Sequence, residues 1–377
     1  MARILILWNQ IDDDVYEHYR RDERRAPDWD PSLEVEPWET VEEELQLIAR
    51  ALESGGHTPK LVNVRDEFSN MLSAIREFEP EVIMNLVEFF RDDPEQEHHV
   101  PAVFELLGIS YTGNRPLALS MCQKKPQAKA LLAAAGVPVP RGIIVDAAHP
   151  VPQEVGLRFP LIVKPAYDDA SGGIDAGSVV HDRSSLENRV AQLLRENRMT
   201  ALVEEYIEGR EIHCAILGDR ALPLYEMEFK GGVDDHGREL PRIITYRAKW
   251  DPYSRDHHAV EGKCPVTDLE PEITQKIQSV AVDAYRALNC RDYARVDMRV
   301  DTNTGEVYVL EVNPNPDLAD SCAFAASAAA AGLSYNEMIC AIVDLAISRI
   351  REQVQAHTGF DLLLREYQAK KKQQQKT

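Results

Sequence analysis

The sequence predicts an α/β protein that turns α+β in its C-terminal half. Three observations carry that reading. Compact apolar runs alternate with helical segments through the first third of the chain, the pattern of a parallel sheet flanked by helices. From about Ala201 the order changes to strands, a long polar loop, a helix, a hairpin and a last helix. The hairpin, Arg295-Val296-Asp297 and Glu311-Val312-Asn313 around the turn Asp301–Gly305, sets a polar row inside apolar strands.

The elements follow in order. Ile4–Trp8 is a compact apolar strand. Val41–Ser54 places Val41, Leu45, Ile48, Ala49 and Leu52 at helical spacing and stops at Gly55-Gly56. Lys60–Val64 reads as a second strand, Met71–Phe78 as a short helix and Glu81–Leu86 as a third strand. His98–Leu107 is helical, stopped by Gly108, and Ile109–Tyr111 begins another strand. The expected N-terminal α/β domain covers 1–118, interrupted after its first strand by an acidic insertion at 9–40. A central unit over 119–200 holds a helix at Lys125–Ala135, a strand at Leu161–Lys164, a flexible loop at Asp168–Gly177, a strand at Ser178–Val180 and a helix at Ser184–Glu196 capped by Ser184 or Ser185. The third unit, 201–352, carries the polar loop 230–262, a helix at 271–288, the hairpin and a helix at 334–350. Residues 353–377 are expected to extend as a helix and end in a disordered low-complexity tail around Lys370–Lys376. No internal repeat is visible.

Composition narrows the function. The chain has 377 residues and a formal charge of −21, which argues against nucleic acid or an anionic membrane surface as the main partner. Residues 11–44 hold fourteen Asp and Glu against four Arg, so much of the excess sits in one segment, read as a solvated insertion or else a lid or docking arm. Six cysteines form no CxxC pair, as expected of free thiols in a reducing compartment. The N-terminus reads as a strand rather than a signal peptide, and no apolar run reaches spanning length, so the expected location is cytoplasmic with no membrane partner.

The hairpin carries the sharpest chemistry. Side chains alternate along a strand, so Arg295 and Asp297 share a face, as do Glu311 and Asn313. A turn centred near Asn303 would set Arg295 opposite Glu311, with Asp297 one diagonal step away. Two carboxylates and an amide oxygen are hard ligands suited to Mg²⁺ that also grips phosphate. Neither GxxxxGK[ST] nor GxGxxG occurs, so a nucleotide site would have to be assembled from separated pieces. Lys164 ends an apolar strand; taken alone it reads as a surface lysine. The loop Tyr167–Gly177 could bring backbone N–H groups to phosphate or be an ordinary glycine loop. Val203–Ile212 reads as strand, turn and strand. Glu204, the Glu205–Ile207 backbone and Glu211 could serve a base and ribose; an exposed charged hairpin fits the composition equally well.

Taken in order, Lys125, Val163-Lys164-Pro165, the Gly loop, Glu204–Glu211, Lys249, Arg295-Val296-Asp297 and Glu311-Val312-Asn313 resemble the ATP-grasp superfamily, in its D-alanine–D-alanine ligase-like branch. The resemblance covers about residues 80–350. Asn85-Leu86-Val87-Glu88 and Val100–Gly113 fit the N-terminal domain of that branch, and Tyr246-Arg247-Ala248-Lys249 resembles the ω-loop that closes on the phosphates. The resemblance implies three subdomains with ATP between the central and C-terminal ones. It implies that Lys125 and Lys164 bind phosphates with the loop around Ser171, Gly172 and Gly173. Glu204, Glu205, Tyr206, Ile207 and Glu211 would hold adenine and ribose, and Lys249 would reach the transferred phosphate. Asp297, Glu311 and Asn313 would hold two Mg²⁺, with Mn²⁺ an acceptable substitute, and Arg295 would face the reacting carboxyl oxygens. It also implies a homodimer.

The departures fall on the amino-acid positions. The glutamate the family carries after its first strand has no clear counterpart in Trp8–Asp12. The Gly-rich loop is Asp168–Gly173 rather than Glu-Gly-Ser-Ser, and Pro314–Asp320 replaces a Pro-Gly-Met turn. Asp168, Asn85, Glu88, Tyr246, Asp317 and Ser321 are the resulting substrate candidates. The expected activity is an ATP-dependent carboxylate–amine ligase joining small amino-acid-like substrates through an acyl phosphate, rather than a true D-alanine–D-alanine ligase. The competing expectations are addition of an amino acid to a peptide or protein terminus, and a non-catalytic Mg-ATP module.

Overall fold

A computed structural model describes residues 1–11, 26–35, 39–91, 93–167, 171–196 and 200–350. The candidate Asp168, most of the acidic insertion and the C-terminal tail lie outside the described residues. The first sheet has the parallel order β2-β1-β3-β4, built from β1 (Arg3–Trp8), β2 (Thr58–Asn63), β3 (Val82–Leu86) and β4 (Ser110–Tyr111). Strands β1 and β3 are buried on both faces, which is why they read as apolar runs without alternation, while the edge strand β2 stays half-buried. Ile4, Ile6, Val82 and Met84 pack against α1 (Val41–Ser54) and the last helix, Tyr335–Ile350. Leu5, Leu7 and Ile83 pack on the other side against α2 (Phe68–Phe78) and α3 (His99–Leu107). Helix α1 starts where expected because Thr40 and Glu43 cap each other reciprocally. Gly55 closes it: a Cβ there would stand 2.4 Å from the Cys340 Sγ of the last helix.

The central sheet is antiparallel, β5-β8-β6-β7, from β5 (Gly142–Val145), β6 (Leu161–Pro165), β7 (Val179–Val180) and β8 (Ala201–Glu205). Helix Arg183–Glu196 backs it; its cap is Asp182, whose Oδ1 accepts from Ser185 N at 2.8 Å, rather than the expected serine. Strand Ala201–Glu205 was expected to open the third unit, yet it is hydrogen-bonded into this sheet.

The third sheet runs β12-β11-β9-β13-β14 with β10 on β9. Its strands are β9 (Gly209–Leu217), β10 (Arg220–Ala221), β11 (Tyr225–Phe229), β12 (Val260–Lys263), β13 (Tyr293–Asp301) and β14 (Val307–Asn313). One face carries Ile212, Cys214, Ile216, Val296, Met298, Val300 and Val312 onto the helix Pro271–Ala287, together with Ala128 and Leu132 of the helix Lys125–Ala134. That last helix therefore packs on the C-terminal sheet rather than the central one. The polar loop 230–262 contains two short helices, Tyr246–Trp250 and Arg255–His258, and ends in β12. Neither was anticipated, nor were the helices Pro116–Gln123 and Ala323–Ala330 or strand β5. Among the described residues no single helix is long and apolar enough to cross a membrane. The apolar pair Ala323–Ala330 and Tyr335–Ile350 bends by 99° and supplies Phe324, Ala325, Ile339, Ile342 and Val343 to the core.

Candidate active site

The site lies where the central and C-terminal sheets face each other. Residues 203–212 are not a hairpin: β8 belongs to one sheet and β9 to the other, so the segment Glu205–Gly209 crosses between them. On the strands it joins, Glu204 is buried to 1% exposure and Glu211 to 6%, while Glu208 on the crossing itself is exposed. An open cleft of about 850 Å³, mouth included, is lined by Lys125, Lys164, Ser171, Gly172, Glu204, Glu205, Tyr206, Ile207, Glu211, Asp297, Arg299, Leu310 and Glu311. Most of the residues expected to serve ATP thus meet in one place.

On the central wall, Ile162 pairs with Glu204 and Lys164 with Leu202, so Lys164 and Glu204 share the face toward the cleft. The Lys164 Nζ stands 2.9 Å from Glu204 Oε2. A second lysine, Lys129, approaches Glu204 Oε1 at 2.6 Å. Sequence reading missed Lys129; its only signal was a charge on an otherwise buried face of the helix Lys125–Ala134. One carboxylate thus serves two buried ammonium groups. Burial pushes the Lys129 amine down to about 8 although Glu204 opposes it. Lys164, equally buried but facing Glu204, Glu311 and Glu211 together, is held above its ordinary value. Burial would raise the Glu204 carboxyl, but the two lysines hold it below the ordinary range.

On the other wall, the cross-strand register puts Glu211, His213, Arg295, Asp297 and Arg299 on one face, since Asp297 pairs with His213 and Arg299 with Glu211. The register with β14 differs from expectation. Arg295 pairs with Asn313 and Asp297 directly with Glu311, because a bulge shifts the pairing between Asp297 and Met298. Near the turn Met298 pairs with Val309; continued without a bulge, that register would set Glu311 opposite Val296, in the core. The extra residue is Leu310, and it keeps Glu311 and Asn313 on the cleft face.

The Arg295 guanidinium grips Asp297 through two bonds of 2.8 and 2.9 Å, and Asn313 Nδ2 donates to Asp297 Oδ2 at 2.8 Å. His213 Nε2 stands 3.8 Å from Asp297 Oδ1, with its ring stacked on Tyr225. Lys125 Nζ lies 3.7 Å from Glu311 Oε2. Burial raises both Asp297 and Glu311, and the neighbouring cations, Arg295 for one and Lys125 for the other, hold both below the ordinary carboxylate range. Among the described residues no three His, Cys, Asp or Glu stand close enough to hold a metal by themselves. Asp297 and Glu311 would therefore need oxygens from a ligand to complete a cation's shell, and hard carboxylates beside a polyphosphate suit Mg²⁺. As placed, Asn313 turns its nitrogen to Asp297, so its ligand role needs the amide rotated.

Other expected residues fare differently. Glu211 is engaged by Arg299, whose Nη2 donates to Oε2 at 2.7 Å. Arg299, also unanticipated, donates further to the carbonyls of Ile207 and Gly209 and to that of Arg242, fastening the crossing segment to the start of the ω-loop. Glu205 is taken by Arg158, at 3.1 Å. Ser171 sits at φ 64° in the glycine loop, and a Cβ on Gly173 would approach Pro165 Cγ at 2.9 Å. Lys249 is exposed, its Nζ 4.9 Å from the Trp250 ring centroid, and does not line the cleft. Tyr246 is also exposed, but its N–H donates to Ile174 O at 2.9 Å, joining the ω-loop to the glycine loop. Asn85 is buried with Oδ1 unpaired, and Glu88 is exposed on the same strand end. Asp317 accepts from Cys322 Sγ at 3.0 Å, so the thiol, not Ser321, is its neighbour.

Known proteins similar to this chain point to one family. Residues 131–344 match the family model described as the D-ala D-ala ligase C-terminus. An uncharacterised protein, y4sG, of Sinorhizobium fredii is 33% identical over 80% of this chain and 87% of its own length. D-alanine–D-alanine ligase of Methylobacterium radiotolerans is 32% identical over 77% of this chain and 88% of its own. The structure of Bacillus anthracis D-alanine–D-alanine ligase complexed with ATP superposes with a TM-score of 0.67 over 94% of this chain and 99% of that one, at 20% identity. The chain belongs to the D-alanine–D-alanine ligase family of ATP-grasp enzymes, ligases that form carbon–nitrogen bonds.

Proposed function

We propose that the chain joins two small amino-acid-like substrates by an amide bond, with ATP as the source of activation. The observation that carries this is the cleft itself: two lysines sharing one glutamate face two paired carboxylates, one of them gripped by an arginine. Surplus positive charge suits a polyphosphate, and surplus negative charge suits cations. Lys125, Lys164 and Lys129 would hold phosphate oxygens, assisted by backbone N–H groups of Ser171, Gly172 and Gly173. The apolar floor of Ile162, Leu310 and Ile207 would take the base, with Glu204, Glu205, Tyr206 and Glu211 at its edge. Asp297, Glu311 and Asn313 would hold two Mg²⁺, which when bound neutralise phosphate charge. Mn²⁺ would serve in their place.

A carboxylate is a poor electrophile toward an amine, so activation must come first. A substrate carboxylate oxygen, oriented by Arg295, attacks the γ-phosphorus; the bond to the β-phosphate bridging oxygen breaks and ADP leaves. The amine of the second substrate then attacks the acyl carbon of the acyl phosphate. The carbon–nitrogen bond forms, phosphate departs and the amine loses a proton. Lys249 would reach the transferred phosphate when the ω-loop closes, excluding water from the labile intermediate. Asn85, Glu88, Tyr246, Asp317 and Ser321 would border the amino acids, and the carboxylates of Glu88 and Asp317 favour a substrate carrying an amino group. The test is a screen of ADP and phosphate release over pairs of L- and D-amino acids, with product masses. A dipeptide product is expected. Turnover only with peptides would move the reading to terminus addition, and tight Mg-ATP binding without ADP release in any mixture would overturn it.

A further inference from the structure

The acidic segment that interrupts the N-terminal domain reaches the ω-loop. In its described stretch Asp30 Oδ1 accepts from Ser32 N at 3.0 Å and Ser32 Oγ at 2.6 Å, closing a turn beside Trp29. The Trp29 indole N–H donates to the Tyr253 carbonyl at 2.7 Å. The Arg255 guanidinium stands 4.5 Å from the Trp29 ring centroid, and the His258 ring meets it edge-on at 5.5 Å. A hydrogen bond, a cation–π contact and an aromatic contact thus converge on one side chain from three residues of a single short stretch.

That stretch is fastened to the part of the loop bearing Lys249. Thr245 Oγ1 donates to the buried Asp256 at 2.7 Å and also caps the helix Tyr246–Trp250 by accepting from Ala248 N at 3.0 Å. His257 Nδ1 lies 2.9 Å from the Ala248 carbonyl, and Ser254 Oγ donates to the Arg247 carbonyl at 3.1 Å. Arg247 and Arg255 share Asp235, at 2.5 and 3.6 Å. Residues 245–258 therefore form one small hydrogen-bonded block. Arg299 holds the inner end of the loop through the Arg242 carbonyl, and Trp29 holds the outer end.

We infer that Trp29 is a positioning residue for Lys249: the acidic insertion is a strap from the N-terminal domain that holds the ω-loop block in reach of the cleft. The inference rests on the role proposed for Lys249. A lid tethered at one end pays more ordering entropy on closing than one tethered at both, so losing the strap lowers the fraction of enzyme with Lys249 in place. Lys249 would touch only the phosphate in transfer, so the loss falls on kcat rather than on the KM for ATP.

The test compares Trp29→Ala and Trp29→Phe with wild type in steady-state kinetics and in limited trypsin digestion read by fragment mass. Trp29→Ala is expected to lower kcat about tenfold, the factor for losing roughly one net hydrogen bond's worth of closure, with the KM for ATP held within about twofold. Cleavage within 230–262 should accelerate while cleavage elsewhere does not. Trp29→Phe keeps a ring for Arg255 without the N–H and should recover part of both effects. Wild-type kcat and wild-type cleavage in Trp29→Ala would overturn the inference, as would faster cleavage spread over the whole chain with a lowered melting temperature. Should the wild type turn over no amino-acid pair, the ligase reading fails by itself; the strap is then decided by cleavage alone, and an unchanged rate within 230–262 overturns it.

Discussion

The two walls of the cleft are built alike and charged oppositely. Each is a face of an antiparallel sheet with ionic side chains buried among apolar ones. On the central wall Lys129 and Lys164 share Glu204; on the C-terminal wall Asp297 and Glu311 pair across the strands, and Arg295 grips Asp297. An unmatched charge out of water costs several kcal/mol, so neither wall is at rest by itself. Lys125, at the start of the helix Lys125–Ala134, reaches Glu311 on the C-terminal wall at 3.7 Å. Each wall is half of an ionic cluster, and on the function proposed above a polyphosphate with its cations would supply the other half.

Four perturbations test the contrast, in order of decreasing effect. Glu311→Gln removes the charge surplus of the C-terminal wall and should lower ADP release by about a thousandfold or more, with the melting temperature retained. Near-normal turnover in that variant would remove Glu311 from the cation site. Lys164→Met balances the central wall at one lysine per carboxylate. It should cut kcat/KM for ATP by about a hundredfold, measured by varying ATP at saturating amino acids; an unchanged value would mean that the surplus there is not for phosphate.

The third perturbation is pH. With its amine pushed down to about 8, Lys129 is charged below that value and loses its charge as pH rises through it. ATP affinity is therefore expected to be full below pH 8 and to fall above it, with net proton uptake on binding near pH 8, read by calorimetry in buffers of different ionisation enthalpy. Lys129→Met should abolish that uptake. An identical pH profile in the variant would assign the titration elsewhere. The smallest effect belongs outside both walls. Asp317→Ala should shift the preference among amino acids by about tenfold while leaving the KM for ATP within about twofold. An unchanged amino-acid profile would separate Asp317 from the substrate.

The parts of this molecule that were legible in its sequence are those set by local rules. Helix Val41–Ser54 was readable to its last residue because a capping box opens it and a glycine pair closes it. The buried strands of the first sheet were readable because covering both faces leaves an unbroken apolar run. The ordered series of lysines, carboxylates and amide was enough to bring the cleft into view. What stayed hidden depends on partners distant in the chain. Lys129 and Arg299 look like ordinary surface cations until Glu204 and Glu211 are brought to them by other strands. The crossing of Glu205–Gly209 between two sheets is invisible locally, since strand, turn and strand is also the pattern of a hairpin. The helices inside 230–262 are five and four residues long, too short for periodicity to register.

The bulge at Leu310 has a consequence for how tightly the floor of the cleft can be furnished. A regular strand presents a side chain to a given face once every two residues, about 6.6–6.8 Å apart. Here Leu310 and Glu311 are consecutive and both line the cleft. One strand thus delivers an apolar surface and a charge at adjacent positions, about 3.8 Å apart along the backbone. One surplus residue thus halves the spacing at which a pleated strand by itself sets two side chains on the same face.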